Sequence, residues 1–395
     1  MSAKVLARLF SYEILVVVLG LFFGVIVARY FGVEAKGQLA QFSAIIGLAI
    51  VSSSLGVSYS AVKLKGFNTN RLFLIFSIFG SLVSLIFILI YQRYGDNVIH
   101  TSSADLVLIL FILFFSIYNL QSLALILSSS IRGYYPAAII SGQVGSITVL
   151  MILIYINQFN VIWLVLISSF AQFIVSFYGI KYIGVVGKVN RSMRFFEYIK
   201  ISIHQAPIIY LTSILIHIPV ILISTVSLKE AGIFSVAFSS VMIIGKIPRL
   251  IHGMTIGGTA FNRKKDLSDI IKLHAVTVIT IISFHLIAHF LITGIYGDLF
   301  LDSVNVAIIL AYSMLPLLYV ALVEAKLLVE KKYNQMIYYK IAALVLFFIF
   351  LMIGYYYVGF ISAITVAWAI LGYRFISIPI LYLLIIKKQS IRLFS

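Results

Sequence analysis

Apolar runs of about eighteen residues or more recur from one end of this chain to the other. Each run is long enough to cross the hydrocarbon of a bilayer as a helix. No water reaches that region, so a spanning backbone must satisfy its own N–H and C=O groups, as a helix or a closed barrel. Barrel strands are short and alternate apolar with polar residues; these runs are long and uniformly apolar. Of the 395 residues 62% are hydrophobic and 10% charged, which is more apolar surface than a soluble core hides. The expected fold class is an all-α polytopic membrane protein.

Twelve transmembrane helices are expected, at about residues 10–32, 38–62, 72–92, 106–130, 138–156, 161–183, 202–226, 232–258, 271–295, 304–326, 337–357 and 360–386. The connections are short, and none is large enough for a soluble domain. An even count puts both termini on one side, and lysine and arginine decide which. All but four of them fall at the termini, in the even-numbered loops or in helix parts counted with those loops, Lys340 and Arg374 among the last. The exceptions are Arg29, Lys36, Arg93 and Lys229. Both termini are therefore expected in the cytoplasm. On this reading the net charge of +17 is a topology signal; no basic face on a soluble domain points to nucleic acid. There is no cysteine, which excludes disulfides and thiolate chemistry. The first apolar run lacks the small-residue cleavage site of a secretory signal.

The chain also echoes itself. Gly37 follows "VEAK" and Gly232 follows "LKEA"; they are 195 residues apart, and each opens an apolar run. "NQFN" (157–160) and "YYVGF" (356–360) are both minimal outer turns. Two six-helix lobes are expected, 1–180 and 201–395, joined by a cytoplasmic interfacial linker, 181–200, that mixes Lys188, Arg191 and Arg194 with Phe195, Phe196 and Tyr198. Halves with an even number of spans enter the membrane in the same sense. That implies a parallel pseudo-two-fold repeat about the membrane normal, with a cavity between the lobes.

The stretch "IVARYFGVEAKGQLAQFSAII" (residues 26–46) resembles the opening of Wzx-type polysaccharide flippases, which belong to the multidrug/oligosaccharidyl-lipid/polysaccharide (MOP) exporter superfamily. The resemblance covers the whole chain in layout and is specific in residues around 26–47. It implies a MOP/MATE-like fold and an undecaprenyl-pyrophosphate-linked glycan, such as an O-antigen repeat unit, as substrate. It also implies a bacterial inner-membrane location and polysaccharide-assembly partners such as a polymerase. Related lipid II flippases share the "VAR-x-FG" ending but carry an Arg-Asp pair earlier in the first span. Here those places hold Phe23 and Gly24, which argues against that branch.

An ionisable side chain at mid-membrane costs about 2.5–3.5 kcal/mol on insertion scales, so each is a functional candidate. In the eighth span, "MIIGKIPRLIHGMTIGG", Lys246, Arg249 and Gly253 recur at i, i+3 and i+7 and share one face. Lys246 is too deep to reach an interface from a straight helix, and Pro248 favours a kink. These two cations are the leading candidates for substrate binding. Two roles fit Arg29 at the end of the first span: an anchor that snorkels to the outer surface, or a contact to an anionic headgroup. His217, mid-span beside Pro219, is a third candidate, for substrate or for proton coupling. Glu324 and Glu13 are the acids considered for coupling or ion pairing. His285 and His289 make an i,i+4 pair with no third ligand in view, so no metal is assigned. Asn119, Gln121, Gln143 and Gln172 either line a cavity or bond between helices.

The sequence shows no nucleophile elbow, no phosphate-binding glycine loop and no outer loop large enough for catalysis. No enzyme activity and no cofactor are expected. The reading is a flippase with a cationic lumen. The alternatives are an organic-cation exporter, which would place carboxylates in the lumen, and a glycan polymerase or ligase. Reporters fused after Arg71, Arg194 or Lys265 should behave as cytoplasmic and one after Asp96 as external; an external signal at Arg194 would break the two-lobe scheme.

Overall fold

The computed structural model describes residues 3–54, 69–94, 102–128, 134–186, 195–256, 263–330 and 332–390. Among these residues there are twelve α-helices, one 3-10 turn and no strand. The helices are α1 (Ala3–Ser53), α2 (Thr69–Tyr94), α3 (Ser103–Ser128), α4 (Tyr134–Tyr155), α5 (Val161–Val186), α6 (Phe195–Val226), α7 (Leu228–Ile256), α8 (Arg263–Tyr296), α9 (Ser303–Tyr312), α10 (Met314–Val329), α11 (Tyr333–Val358) and α12 (Ala363–Ser390). Each of the twelve expected spans overlies a helix. Two correspondences are not one to one. The first and second spans form a single element, α1, and the tenth is broken into α9 and α10.

Both exceptions have local causes. The apolar part of α1, Ile14–Ser53, is 40 residues long, about 60 Å of helix, or twice what one crossing of the hydrocarbon needs. Gly32 divides it, with φ 83° and ψ −174°, a conformation open in practice only to glycine. The break between α9 and α10 falls at Ser313, whose hydroxyl donates to the carbonyl of Leu310 at 2.6 Å. Pro316, three residues on, has no N–H to donate to the Tyr312 carbonyl, and its ring crowds that carbonyl, so the helix ladder is interrupted there. Ten segments of the described residues are long and apolar enough to cross a membrane. On α8 the exposed Ile279, Ile282, Leu286 and Phe290 form a stripe at helical spacing, a surface that suits lipid.

The echo in the sequence is visible in the turns. Asn157 has φ 51° and Gly359 has φ 82°, so both outer turns pass through the left-handed region. Three residues after each stands the cap of the next helix. Asn160 Oδ1 accepts from the N–H groups of Ile162 and Trp163, and Ser362 Oγ accepts from Thr365 N–H. One shift, of 202 residues, carries both positions of the first turn onto the second.

The glycine turns agree still more closely. A Cβ on Gly37 would lie 1.9 Å from the carbonyl oxygen of Leu228, and a Cβ on Gly232 would lie 2.1 Å from that of Val33. The 195-residue interval that relates Gly37 to Gly232 also relates Val33 to Leu228. The contact is therefore reciprocal, as a two-fold relation between the turns requires. Glu230, in the second of these turns, accepts the N–H of Ala363 at the start of α12 at 2.8 Å, an anion placed at a helix N-terminus.

By packing, the chain divides into one unit of Ser2–Phe31 and Gln38–Ile221 and another of Gly32–Gly37 and Leu222–Ser395. In the first, α4 packs on α5, α3 on α5 and α2 on α3. Gly142 and Gly145 bring α4 close to α5: their Cβ atoms would meet Ser168 O at 3.1 Å and Ala171 Cβ at 3.2 Å. Phe42, Ile45 and Ile46 of α1 pack with Ile109, Ile112 and Leu113 of α3. In the second unit α9 and α10 both lie on α7, α11 packs on α12, and α9 also touches α8 and α12. Ser303 Oγ donates to Ile233 O at 3.0 Å and ties α9 to α7. The stretch expected as linker, 181–200, comprises the end of α6's predecessor α5, residues 187–194, which lie outside the described residues, and the start of α6.

Gly37→Ala and Gly232→Ala should each lower stability by about 1–3 kcal/mol, because a backbone oxygen must move. Since both act on one contact, the double variant should cost less than the sum of the singles in thermal unfolding of the purified protein. Simple additivity would show that the two turns do not share a contact.

Candidate functional site

Helix α7, in the second unit, carries the leading candidates. Lys246 and Arg249 lie within Leu228–Ile256; their side chains lie outside the described residues, as do those of Glu13 on α1 and His204 on α6. The position just before Lys246 is described. A Cβ on the buried Gly245 would lie 3.5 Å from Met314 Sδ, so α7 meets α10 at its first residue, beside the helix break.

Here the structure adds charges that sequence reasoning assigned elsewhere. Arg374, inside α12, reaches the same break: its Nη1 donates to Ser313 Oγ at 2.8 Å and lies 3.7 Å from Met314 Sδ. A cation at the C-terminal end of α9 also complements the partial negative charge of its last carbonyls. Farther along, Lys340 of α11 forms an ion pair with Glu324 of α10, their side chains only 8% and 15% exposed. The Lys340 ammonium is 5.4 Å from the Tyr339 ring centroid. Buried Tyr339, Tyr373 and Ser377 complete the neighbourhood.

Lys340 and Arg374, counted with the cytoplasmic cations, both lie within helices, α11 and α12. The span expected at 337–357 starts close to Lys340, whereas α11 begins at Tyr333 and sets Lys340 about two turns into the helix. Arg374 lies deep within the span expected at 360–386, and the depth criterion that singles out Lys246 finds it too. Glu324 is an ion-pair acid; its described partner is Lys340 and not a cation of α7. Among the described residues, two cations and one carboxylate leave this partly buried cluster positive, and in surroundings of low dielectric that charge favours an anion.

The other candidates fall elsewhere. Arg29 is exposed on α1, three residues before the Gly32 break. His217, half-buried on α6, packs in the first unit over Gly47 of α1, where a Cβ would lie 2.6 Å from its Cε1 and 2.7 Å from its Nε2. Asn119 Nδ2 donates to Ser169 O at 3.0 Å, a bond between α3 and α5. Gln121 is fully buried, and neither atom of its amide has a hydrogen-bond partner among the described residues. His285 Nδ1 lies 3.0 Å from the Tyr312 hydroxyl, a polar contact between α8 and α9.

No protein-family model matches this chain, and no curated protein sequence matches it. Solved structures do. The chain is similar to the lipid II flippase MurJ at 15% identity with a TM-score of 0.69, over 96% of this chain and 87% of that one. It is similar to a MATE transporter solved with MaL6 at 14% identity with a TM-score of 0.66, over 98% and 97% of the two chains. It is also similar to a MOP superfamily transporter from Pyrococcus furiosus at 13% identity with a TM-score of 0.63, over 96% and 92%. The chain therefore has the MOP/MATE-like fold of polytopic membrane transporters.

Glu324→Ala should destabilise the protein by about 3–5 kcal/mol, because it strands the Lys340 ammonium in a buried site. Glu324→Leu combined with Lys340→Met should recover most of that loss in thermal unfolding. A double variant no better than Glu324→Ala would mean that the pair is not what holds these residues.

Proposed function

We propose that this protein is a flippase that moves a polyprenyl-pyrophosphate-linked oligosaccharide, such as an O-antigen repeat unit, from the cytoplasmic to the outer leaflet of a bacterial inner membrane. The observation that carries the reading is the sign of the charge inside the second unit. Glu324 is engaged by Lys340, the described hydrogen-bond partners of Arg374 are neutral, and α7, the helix that carries Lys246 and Arg249, meets α10 at Gly245. Such a site suits a pyrophosphate. An organic cation, the cargo of the alternative exporter, would be repelled.

The chemistry of the cargo explains the need for a protein. Each hydroxyl taken into hydrocarbon without a hydrogen-bond partner costs several kcal/mol, on the order of 4–8 on an alkane scale. A hydrophilic path removes that cost while the lipid tail stays in the bilayer. Lys246 and Arg249 hold the pyrophosphate, the part common to all such lipids. Arg374 reinforces the charge, and His217 and Arg29 contact the remainder of the headgroup. The six-span repeat halves, 1–180 and 201–395, joined by 181–200 on the cytoplasmic face, alternate access between the two leaflets. Both termini are cytoplasmic, and a polymerase on the outer face receives the product.

Lys246→Ala and Arg249→Ala should each abolish surface glycan export while the protein still reaches the membrane. Arg249→Lys should retain part of the activity if charge alone matters, and little if a bidentate grip on phosphate matters. Arg29→Ala should be milder. Full export by both α7 alanine variants would remove the basis of the proposal.

A further inference from the structure

We propose that Lys36 forms an oxyanion site in the turn at the middle of α1, one that takes the phosphate groups of a phosphate- or pyrophosphate-bearing lipid. The lipid as source rests on the flippase reading; the anion chemistry does not.

The first observation is burial. Lys36 is one of the four cations that the charge pattern assigns to the outer side, where a lysine has water within reach. Yet it is only 7% exposed, and it has no hydrogen-bond or ion-pair partner among the described residues. The nearby acids are otherwise placed. Glu34 is exposed and two positions away, on a different face of the helix. Glu230 accepts the N–H of Ala363.

The second observation comes from the repeat. The 195-residue shift that relates the two glycine turns carries Lys36 onto Ala231, which is fully buried. The same reciprocal contact is thus built with a methyl group in one copy and an ammonium in the other. Packing does not require the lysine. An ammonium on a largely enclosed side chain, which packing does not require and nothing described neutralises, is costly to keep, and an anionic ligand offsets that cost.

The third is position. Lys36 belongs to the first turn of the helical stretch that resumes after Gly32. That end of a helix carries partial positive charge and N–H groups without intrahelical partners. With a lysine among them, these groups make a site for a tetrahedral oxyanion, the ammonium acting as a point charge with three donors.

The test uses the purified full-length protein in a Lys246→Ala/Arg249→Ala background, so that binding at α7 does not obscure the turn. The probes are sugar-free polyprenyl pyrophosphate and inorganic pyrophosphate, followed by calorimetry. The background protein should bind the lipid probe, Lys36→Met should weaken that binding at least about tenfold, and Lys36→Arg should keep most of it. Without ligand, Lys36→Met should melt no lower than its parent, because the variant loses an unpaired buried charge. Equal affinity for both probes keeps the site and assigns it to a free oxyanion. A Lys36→Met variant that binds like its parent, or a background protein that binds neither probe, overturns the site and leaves the flippase reading to stand or fall with export by the α7 variants. A clear drop in melting temperature for Lys36→Met overturns it too, by showing a structural lysine.

Discussion

Two carbonyl oxygens, those of Leu228 and Val33, occupy places where any residue but glycine would put a side-chain carbon. Much else depends on this contact. It fixes the register of two turns in which the chain changes helix, and it leaves room for only one residue type at Gly37 and Gly232. The charged residues of the second turn are fixed with it. Glu230 is thereby placed to accept from the first residue of α12, the helix that carries Arg374 in its interior. A backbone contact without side chains is stiff, because no rotamer can absorb a displacement. The chain around it must then be built from elements that start and stop at defined residues, and the caps at Asn160 and Ser362 show the same economy at the other pair of turns.

The fold was largely legible because the constraint that makes it, backbone satisfaction in hydrocarbon, acts on long stretches and averages over individual residues. Runs of apolar sequence located the helices, and the glycine echo marked two turns whose backbones meet. Two features escaped. The continuity of α1 across Gly32 depends on one residue's φ and ψ, which no periodicity reports. The interruption at Ser313 goes with Pro316, a breaker the sequence does show; what it does not show is that a guanidinium from another helix bonds the Ser313 hydroxyl there. Serine is common in this chain, so its presence in a span carries little information until the partner is known.

The site was legible only in part. Depth within a run picked out Lys246, and applied evenly it also finds Arg374. Lys340 is different. Its depth turns on where α11 starts, and a shift of four residues, from 337 to Tyr333, moves it from a helix end to the interior. Glu324 shows the limit of reading along one chain. Nothing in the sequence says that the ammonium facing it comes from α11. Long-range pairing is a property of packing. His217 illustrates the same point, since its neighbour Gly47 lies on α1 and the pair has no signature in sequence distance.

On the proposed flippase reading, the balance of charge in the second unit bears on how a cycle would be driven. A carrier whose binding site is positive when empty loses that charge when it takes up a pyrophosphate. The loaded site then carries little net charge, or a negative one. An inside-negative potential works on each net charge by about 2.3 kcal/mol per 100 mV. It helps an anionic loaded site outward and draws the positive empty site back toward the cytoplasm, so both half-cycles run downhill. Neither step needs a titrating acid.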